Sequence, residues 1–266
     1  MFPNSIIFKA IKLLCLNFTV IIFGLSLNLI CSLNSFAQDF EVSDPIEGFN
    51  RGIFWFNDQL DIYVLEPVAS GYDYVTPDSV QTSVGNFFEN LGYPKYLVSD
   101  IVQLKFNQAA EHTGRFLINT TLGVAGLFDV ATDFGLPHES EDFGIALAYH
   151  DVPAGPYIVL PLLGPSNVRD ATGKVVDYFL DPLTIFGRTS QASTNTKTAI
   201  VYGARALDVL DTRAGLKEAI KSAKESSVDY YLFVQGAYYQ HRKGVLFDGN
   251  PPDDPEFEED TAIFEE

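Results

Sequence analysis

Apolar positions recur along this chain at helical spacing. Phe49, Ile53, Phe56, Leu60 and Tyr63 follow one another at alternating intervals of four and three, which lays them on one helical face. Phe54, Trp55 and Ile62 widen that face, while Arg51, Asp58 and Asp61 lie off it. With Phe49, Phe54, Trp55 and Phe56 turned outward, such a face suits a helix lying in the headgroup region of a bilayer. Burial in an ordinary core fits the segment equally well.

The same spacing continues through most of the chain. Asp44-Pro45-Ile46-Glu47 predicts the start of the first helix, with Asp44 as N-cap, proline at the first helical position and Glu47 completing a capping box. Pro67 is expected to end it, and Thr76-Pro77-Asp78 to start the next. Further helices are predicted from Pro94, from Asn107, over 195–211 and over 227–242, the last carrying Tyr230, Tyr231, Tyr238 and Tyr239, which suit a membrane boundary. In residues 122–131, Gly123 and Gly126 would let backbones approach closely. No segment alternates at period two, and after the leader no run of 18 residues is apolar and uncharged. The fold class predicted is mainly α: a single domain of amphipathic helices forming a compact ring-like body with a short hairpin-like loop and no transmembrane helix after the signal.

Residues 155–177, GPYIVLPLLGPSNVRDATGKVVD, break this pattern. Pro156 and Pro161 exclude an ordinary central strand or helix interior, leaving an extended, bent apolar stretch that stops at Gly164-Pro165. Ser166 is placed to cap the next helix. On that helix, just after Arg169, Asp170, Lys174 and Asp177 share one face, and Val168, Val175, Val176 and Phe179 occupy the opposite one. A charged stripe of this kind is either solvated surface or the wall of an enclosed polar path. Upstream, two apolar arms flank the Gly/Pro-rich turn near Gly155, predicting a hairpin-like excursion over 143–160.

Charge and cysteine content narrow the function classes. The formal net charge is −18, which argues against a nucleic-acid partner. Much of it lies in residues 248–266, where acids alternate with Pro251, Pro252 and Pro255 as in a disordered tail. The two cysteines, Cys15 and Cys31, fall in the leader region, and four scattered histidines form no zinc motif. Lys9 and Lys12, the apolar run 13–30 and the Ser35-Phe36-Ala37 end describe a secretory signal over 1–37, followed by a body over 38–247.

Three long motifs in order, DPIEGFNRxxFxFN at 44–57, RFxxNTxxGxxGxFDVA at 115–131 and GPYxxLPxxGPSxxRDxxG at 155–173, resemble the MlaA/VacJ family of outer-membrane proteins for intermembrane phospholipid transport. The resemblance covers about residues 44–243. It implies a polar lipid channel lined by Arg169, Asp170, Lys174 and Asp177, and a mobile gate over 143–160 involving Gly144, Gly155, Pro156, Tyr157 and Pro161. It also implies phospholipid as substrate, a trimeric porin beside the protein, a soluble periplasmic carrier as recipient, and residence at the periplasmic face of the cell outer membrane. Family members are commonly lipoproteins; here Ile30 stands where a small residue precedes the acylated cysteine, so cleavage after Ala37 is expected, with a lipid on Cys31 or an uncleaved inner-membrane anchor over the apolar run as the alternatives. Ala171 occupies a position that is often acidic in the family.

A conduit of this kind needs no nucleophile, metal or other cofactor. A lipid hydrolase is the competing enzyme reading, with Ser166, His150 and Asp151 as candidate residues, but Gly164-Pro165-Ser166-Asn167-Val168 lacks the GxSxG elbow. A porin-associated scaffold without transport activity would share the apolar faces and have no need of the charged stripe.

Overall fold

The opening helix does not stop at its proline. In a computed structural model that describes residues 44–252, α1 (Glu47–Leu60) passes through a π-helical turn, Asp61–Leu65, into α2 (Glu66–Val75). Proline lacks an N–H and its ring crowds the carbonyl four residues back. The wider turn, in which the Glu66 N–H reaches the Asp61 carbonyl, lets Pro67 sit at the start of a new α segment, where a missing donor costs least. The signal segment with Cys31, and tail residues 253–266, lie outside the described residues.

Helices α3 (Asp78–Leu91), α4 (Tyr93–Val102), α5 (Phe106–Thr121), α6 (Val130–Asp133) and α7 (Phe143–Tyr149) follow. A short ribbon, β1 (Tyr157–Leu160) antiparallel to β2 (Gly164–Asn167), precedes α8 (Val168–Leu180), α9 (Pro182–Thr189), α10 (Thr194–Gly215), α11 (Lys217–Ser226) and α12 (Tyr230–Leu246). The mainly α class is thus observed. Residues 122–128 are successive turns rather than packed helix. Gly123 is required there because a Cβ would stand 2.1 Å from the Phe128 carbonyl oxygen.

The predicted hairpin shifts along the chain. Residues 143–149 form α7, capped by the Asp142 carboxylate, which accepts from the Ile145 N–H at 2.9 Å, and do not pair with 157–160. The observed ribbon spans 157–167, with Leu160 opposite Gly164. Its prolines are tolerated because two strands leave free edges. Ser166 pairs with Ile158 in the ribbon, so the cap falls one residue later: Asn167 accepts from the Asp170 N–H at 2.7 Å.

Helix α1 supplies the partner on the other side of β1. Asn50 donates to the Tyr157 carbonyl at 2.9 Å and accepts from the Val159 N–H at 3.0 Å. Asn57, two turns on, does the same for the Leu160 carbonyl and the Leu162 N–H at 3.0 and 2.9 Å. Asp44 does not cap α1; it accepts from Asn50 at 2.7 Å and from the Tyr231 hydroxyl. An apolar cluster of Tyr157, Val159 and Tyr231, with Ile53, Phe54, Tyr238 and Tyr239 against it, sits beneath the ribbon.

Outside that cluster the usual partition is reversed. Among the described residues, more polar and charged side chains than apolar ones are buried, while Phe49, Trp55, Phe106, Phe134, Val175 and Phe179 are among many large apolar residues left exposed. On α1, Phe49 is 65% and Trp55 64% exposed, and Phe56 is exposed as well. Phe54 departs from the expected outward set: its ring lies 5.4 Å from those of Tyr230 and Tyr231, because the inward face of α1 is Asn50, Phe54 and Asn57. Arg51, Asp58 and Asp61 bind Asp229, Lys224 and Arg213 at 2.8, 2.7 and 2.5 Å, tying α1 and the π turn to the C-terminal helices.

Candidate functional site

Helix α8 shows the reversal most clearly. Its outward residues are Val175, 57% exposed, and Phe179, 51% exposed, together with Val168 and Tyr178. Its inward side carries Asp170, Gly173, Lys174 and Asp177. That side meets α7 and α12, and glycine makes the approach possible: a Cβ on Gly173 would stand 2.4 Å from the Gly144 nitrogen and 2.7 Å from its Cα. Gly144 is therefore a packing residue inside α7. A Cβ there would lie 2.9 Å from both Arg242 Nη2 and Asp170 Oδ1.

Asp170 is 2% exposed and sealed among its partners. It lies 2.7 Å from Arg242 Nε and 3.1 Å from Arg169 Nε, and accepts from the Tyr238 hydroxyl. Arg242 extends past it to Asp142, making two contacts at 2.5 and 3.0 Å. Burial alone would push the Asp142 carboxyl up, but the Arg242 guanidinium holds it below the usual carboxylate range. Arg169 also donates to the Val152 carbonyl at 3.2 Å, clasping the loop before the ribbon. Asp170 and Arg169, expected to line a channel, each neutralise charge within the packing, Asp170 on Arg242 and Arg169 on Asp170.

Lys174 and Asp177 differ. Both are half-buried, and Lys174 has no ion-pair partner among the described residues. Asp177 accepts from the Phe143 N–H at 3.2 Å. Burial, followed by the negative charge of Asp142, pushes its carboxyl up to about 6, against the opposing pull of Phe143, Lys95 and Lys174. An acid with a raised folded pKa carries no penalty below its unfolded value near 3.8, and the full penalty once pH exceeds about 6. Asp177→Asn is therefore expected to be more stable than the wild type at pH 7.5 by about 1 kcal/mol after solvent screening. The gain should vanish below pH 4, as read by denaturation midpoints across pH.

The expected gate residues separate. Tyr157 is fully buried, its ring 5.9–6.1 Å from those of Tyr231, Tyr238 and Tyr239 and its hydroxyl without a hydrogen-bond partner. Gly155 turns at φ +68°, and a Cβ there would stand 3.2 Å from Val168. Pro156 and Pro161 are exposed, the latter at the ribbon tip beside exposed Leu162 and Leu163. The hydrolase residues are not assembled: the Ser166 hydroxyl is buried on the Asn167 carbonyl, and His150 Nε2 lies 2.7 Å from the Val102 carbonyl.

Two features were missed in the sequence. Tyr231, Gln235, Tyr238 and Arg242 form one inward polar stripe of α12, contacting Asp44, Asp142 and Asp170; their spacing of four, three and four was the signal that could have found it. Lys95 on α4 pulls down both the Asp177 and the Asp208 carboxyl against their burial, and no spacing announces it. Asp248, assigned to the acidic tail, is tied to Lys105 at 2.7 Å.

The family model described as MlaA lipoprotein matches residues 42–244. The chain is 38% identical over 207 residues to an uncharacterized protein of Rickettsia felis, covering 77% of this chain and 79% of that one. It is 32% identical over 222 residues to the intermembrane phospholipid transport system lipoprotein MlaA of Escherichia coli, covering 80% and 83%. A solved structure described as "Structural basis for maintenance of bacterial outer membrane lipid asymmetry" superposes with a TM-score of 0.63 at 31% identity, covering 77% of this chain and 99% of that one. With the motifs, the helical order and the family match in agreement, this chain belongs to the MlaA lipoprotein family.

Proposed function

We propose that this protein takes part in phospholipid transport between membranes, moving mislocalised lipid out of the outer leaflet of the outer membrane toward a soluble periplasmic carrier. The observation that carries the reading is the polarity of α8, apolar toward the outside and charged toward the inside. A charged group facing hydrocarbon costs several kcal/mol, whereas an exposed apolar belt gains by meeting acyl chains. Among the described residues no helix is long and apolar enough to cross a membrane, so attachment falls to faces such as the Phe49, Trp55 and Phe56 side of α1. Lys174 and Asp177 present charge where a headgroup passes, and the tails stay with the apolar exterior. The names of the E. coli relative and of the solved structure support the same role. Residence at the periplasmic face of the outer membrane beside a trimeric porin belongs to this reading.

The test is a double variant, Lys174→Ala with Asp177→Ala. Outer-leaflet phospholipid should accumulate as strongly as in a strain lacking the protein, while abundance and porin co-purification stay at wild-type levels. Normal clearance by the double variant would leave the porin-associated scaffold as the better reading.

A further inference from the structure

Residues 182–207 carry Arg188, Lys197 and Arg205 and no acidic side chain, in a chain whose acids outnumber its bases by 35 to 17. Arg205 is neutralised by Asp181 at 2.7 Å. The other two have no carboxylate partner among the described residues. Both stand at the end of α9, which packs against α8 on one side and α10 on the other. Arg188 lies in its last turn, and Lys197 Nζ donates to the carbonyl of Ser190, its C-cap, at 3.4 Å. The exposed Arg188 guanidinium sits 4.6 Å from the centre of the Phe179 ring and 5.7 Å from that of Tyr178. A helix C-terminus favours a nearby cation, but that does not account for a seat on outward rings. Phe179 belongs to the apolar exterior of α8, and Ile185, exposed one turn before Arg188, extends it. Charge thus borders an apolar face, as it does where long basic side chains meet a membrane boundary.

A phospholipid supplies both halves of what this edge lacks, a phosphodiester for the cations and acyl chains for the rings. The headgroup class follows from the missing acid. A zwitterionic headgroup brings an ammonium, and the one acid adjoining the stretch, Asp181, is already taken by Arg205 and by the Thr184 hydroxyl. A headgroup of net negative charge leaves nothing unpaired. We infer that Arg188 and Lys197 bind the phosphodiester of an anionic phospholipid whose acyl chains lie against Phe179 and Ile185, outside the polar path. The inference rests on the membrane placement in the proposed function, and adds to it a lipid that is held at the perimeter rather than moved.

Local lipid quenching tests it. Trp55→Phe combined with Tyr178→Trp moves the single tryptophan of the chain beside Arg188. The full chain is placed in phosphatidylcholine vesicles containing the same mole fraction of brominated phosphatidylglycerol or of brominated phosphatidylcholine. Quenching should report a preference for phosphatidylglycerol of roughly 30-fold, the scale of two cations at an anionic headgroup. Arg188→Gln should cut it to about 5-fold and Arg188→Gln with Lys197→Gln should abolish it, whereas Arg188→Lys retains most of it. Lys221→Gln, at an exposed lysine of α11, should leave it unchanged; an equal loss there would assign the preference to overall charge and overturn the site. Equal quenching by the two lipids, or a preference that survives the double substitution, overturns the anionic site and leaves the lipid-facing exterior standing. Quenching by neither lipid gives the outer side of α8 to water or to a protein partner and overturns both. Native mass spectrometry needs no reporter: from equimolar mixed micelles the otherwise unaltered chain should retain phosphatidylglycerol over phosphatidylcholine and Arg188→Gln should not, and equal retention overturns the site.

Discussion

Arg242→Met is expected to lower the unfolding free energy of the detergent-solubilised protein by about 3–5 kcal/mol, since it leaves buried carboxylates without their cation. Asp170, 2% exposed, and Asp142 both depend on this guanidinium. The two acids belong to different elements: Asp170 lies in the first turn of α8, and Asp142 is the N-cap of α7. Losing the arginine therefore sets like charges against one another at the junction of three helices. Adding Asp142→Asn to the variant should restore part of the loss, because it removes one of the two negative charges. The measurement is a chaotrope titration of both variants against the wild type. A loss under about 1 kcal/mol for the single variant, the scale of an exposed pair, would show that the arginine is not needed where the structure puts it.

Gly173→Val is expected to be comparably damaging for a different reason. The first added carbon would stand 2.4 Å from a backbone nitrogen of α7, and backbone cannot rotate away as a side chain can. The helices must separate, at a cost of about 3 kcal/mol, the upper range for overpacking. Gly203 on α10 is the control. Nothing lies within 4 Å of its added carbon, so Gly203→Ala should be neutral or stabilising by roughly 0.5–1 kcal/mol through helix propensity. If both variants retain wild-type thermal midpoints, the close approach of α7 and α8 is wrong.

What the sequence disclosed, and what it withheld, follow from one physical ambiguity. Periodicity places helices, so α4, α5, α10 and α12 begin within a few residues of their predicted starts. Periodicity does not say whether an apolar face meets core or lipid, since both are oil. Phe49, Ile53 and Phe56 read as one continuous face, yet Ile53 turns toward Tyr157 and Tyr231 while its neighbours point out. The α12 tyrosines read as boundary residues, yet Tyr231 and Tyr238 turn their hydroxyls to Asp44 and Asp170. Glycine is ambiguous in a similar way. Gly144 reads as part of a gate over 143–160, and only the position of α8 reveals how closely its backbone meets Gly173. The charged face of α8 was legible because its residues recur on one helix. Lys95 was not, because it is the solitary contribution of a separate helix, and only the packing of α4 against α8 brings its charge to bear on Asp177.

The same ambiguity identifies the most direct test. Trp55 is the only tryptophan of the chain and is 64% exposed on the outward side of α1, so its fluorescence reports that side without any substitution. In vesicles, the account predicts blue-shifted emission, strong quenching by phospholipids brominated near the headgroup, and little quenching by acrylamide in the aqueous phase. Red-shifted emission that acrylamide quenches and brominated lipid does not would contradict it, placing the apolar exterior in water rather than in the bilayer.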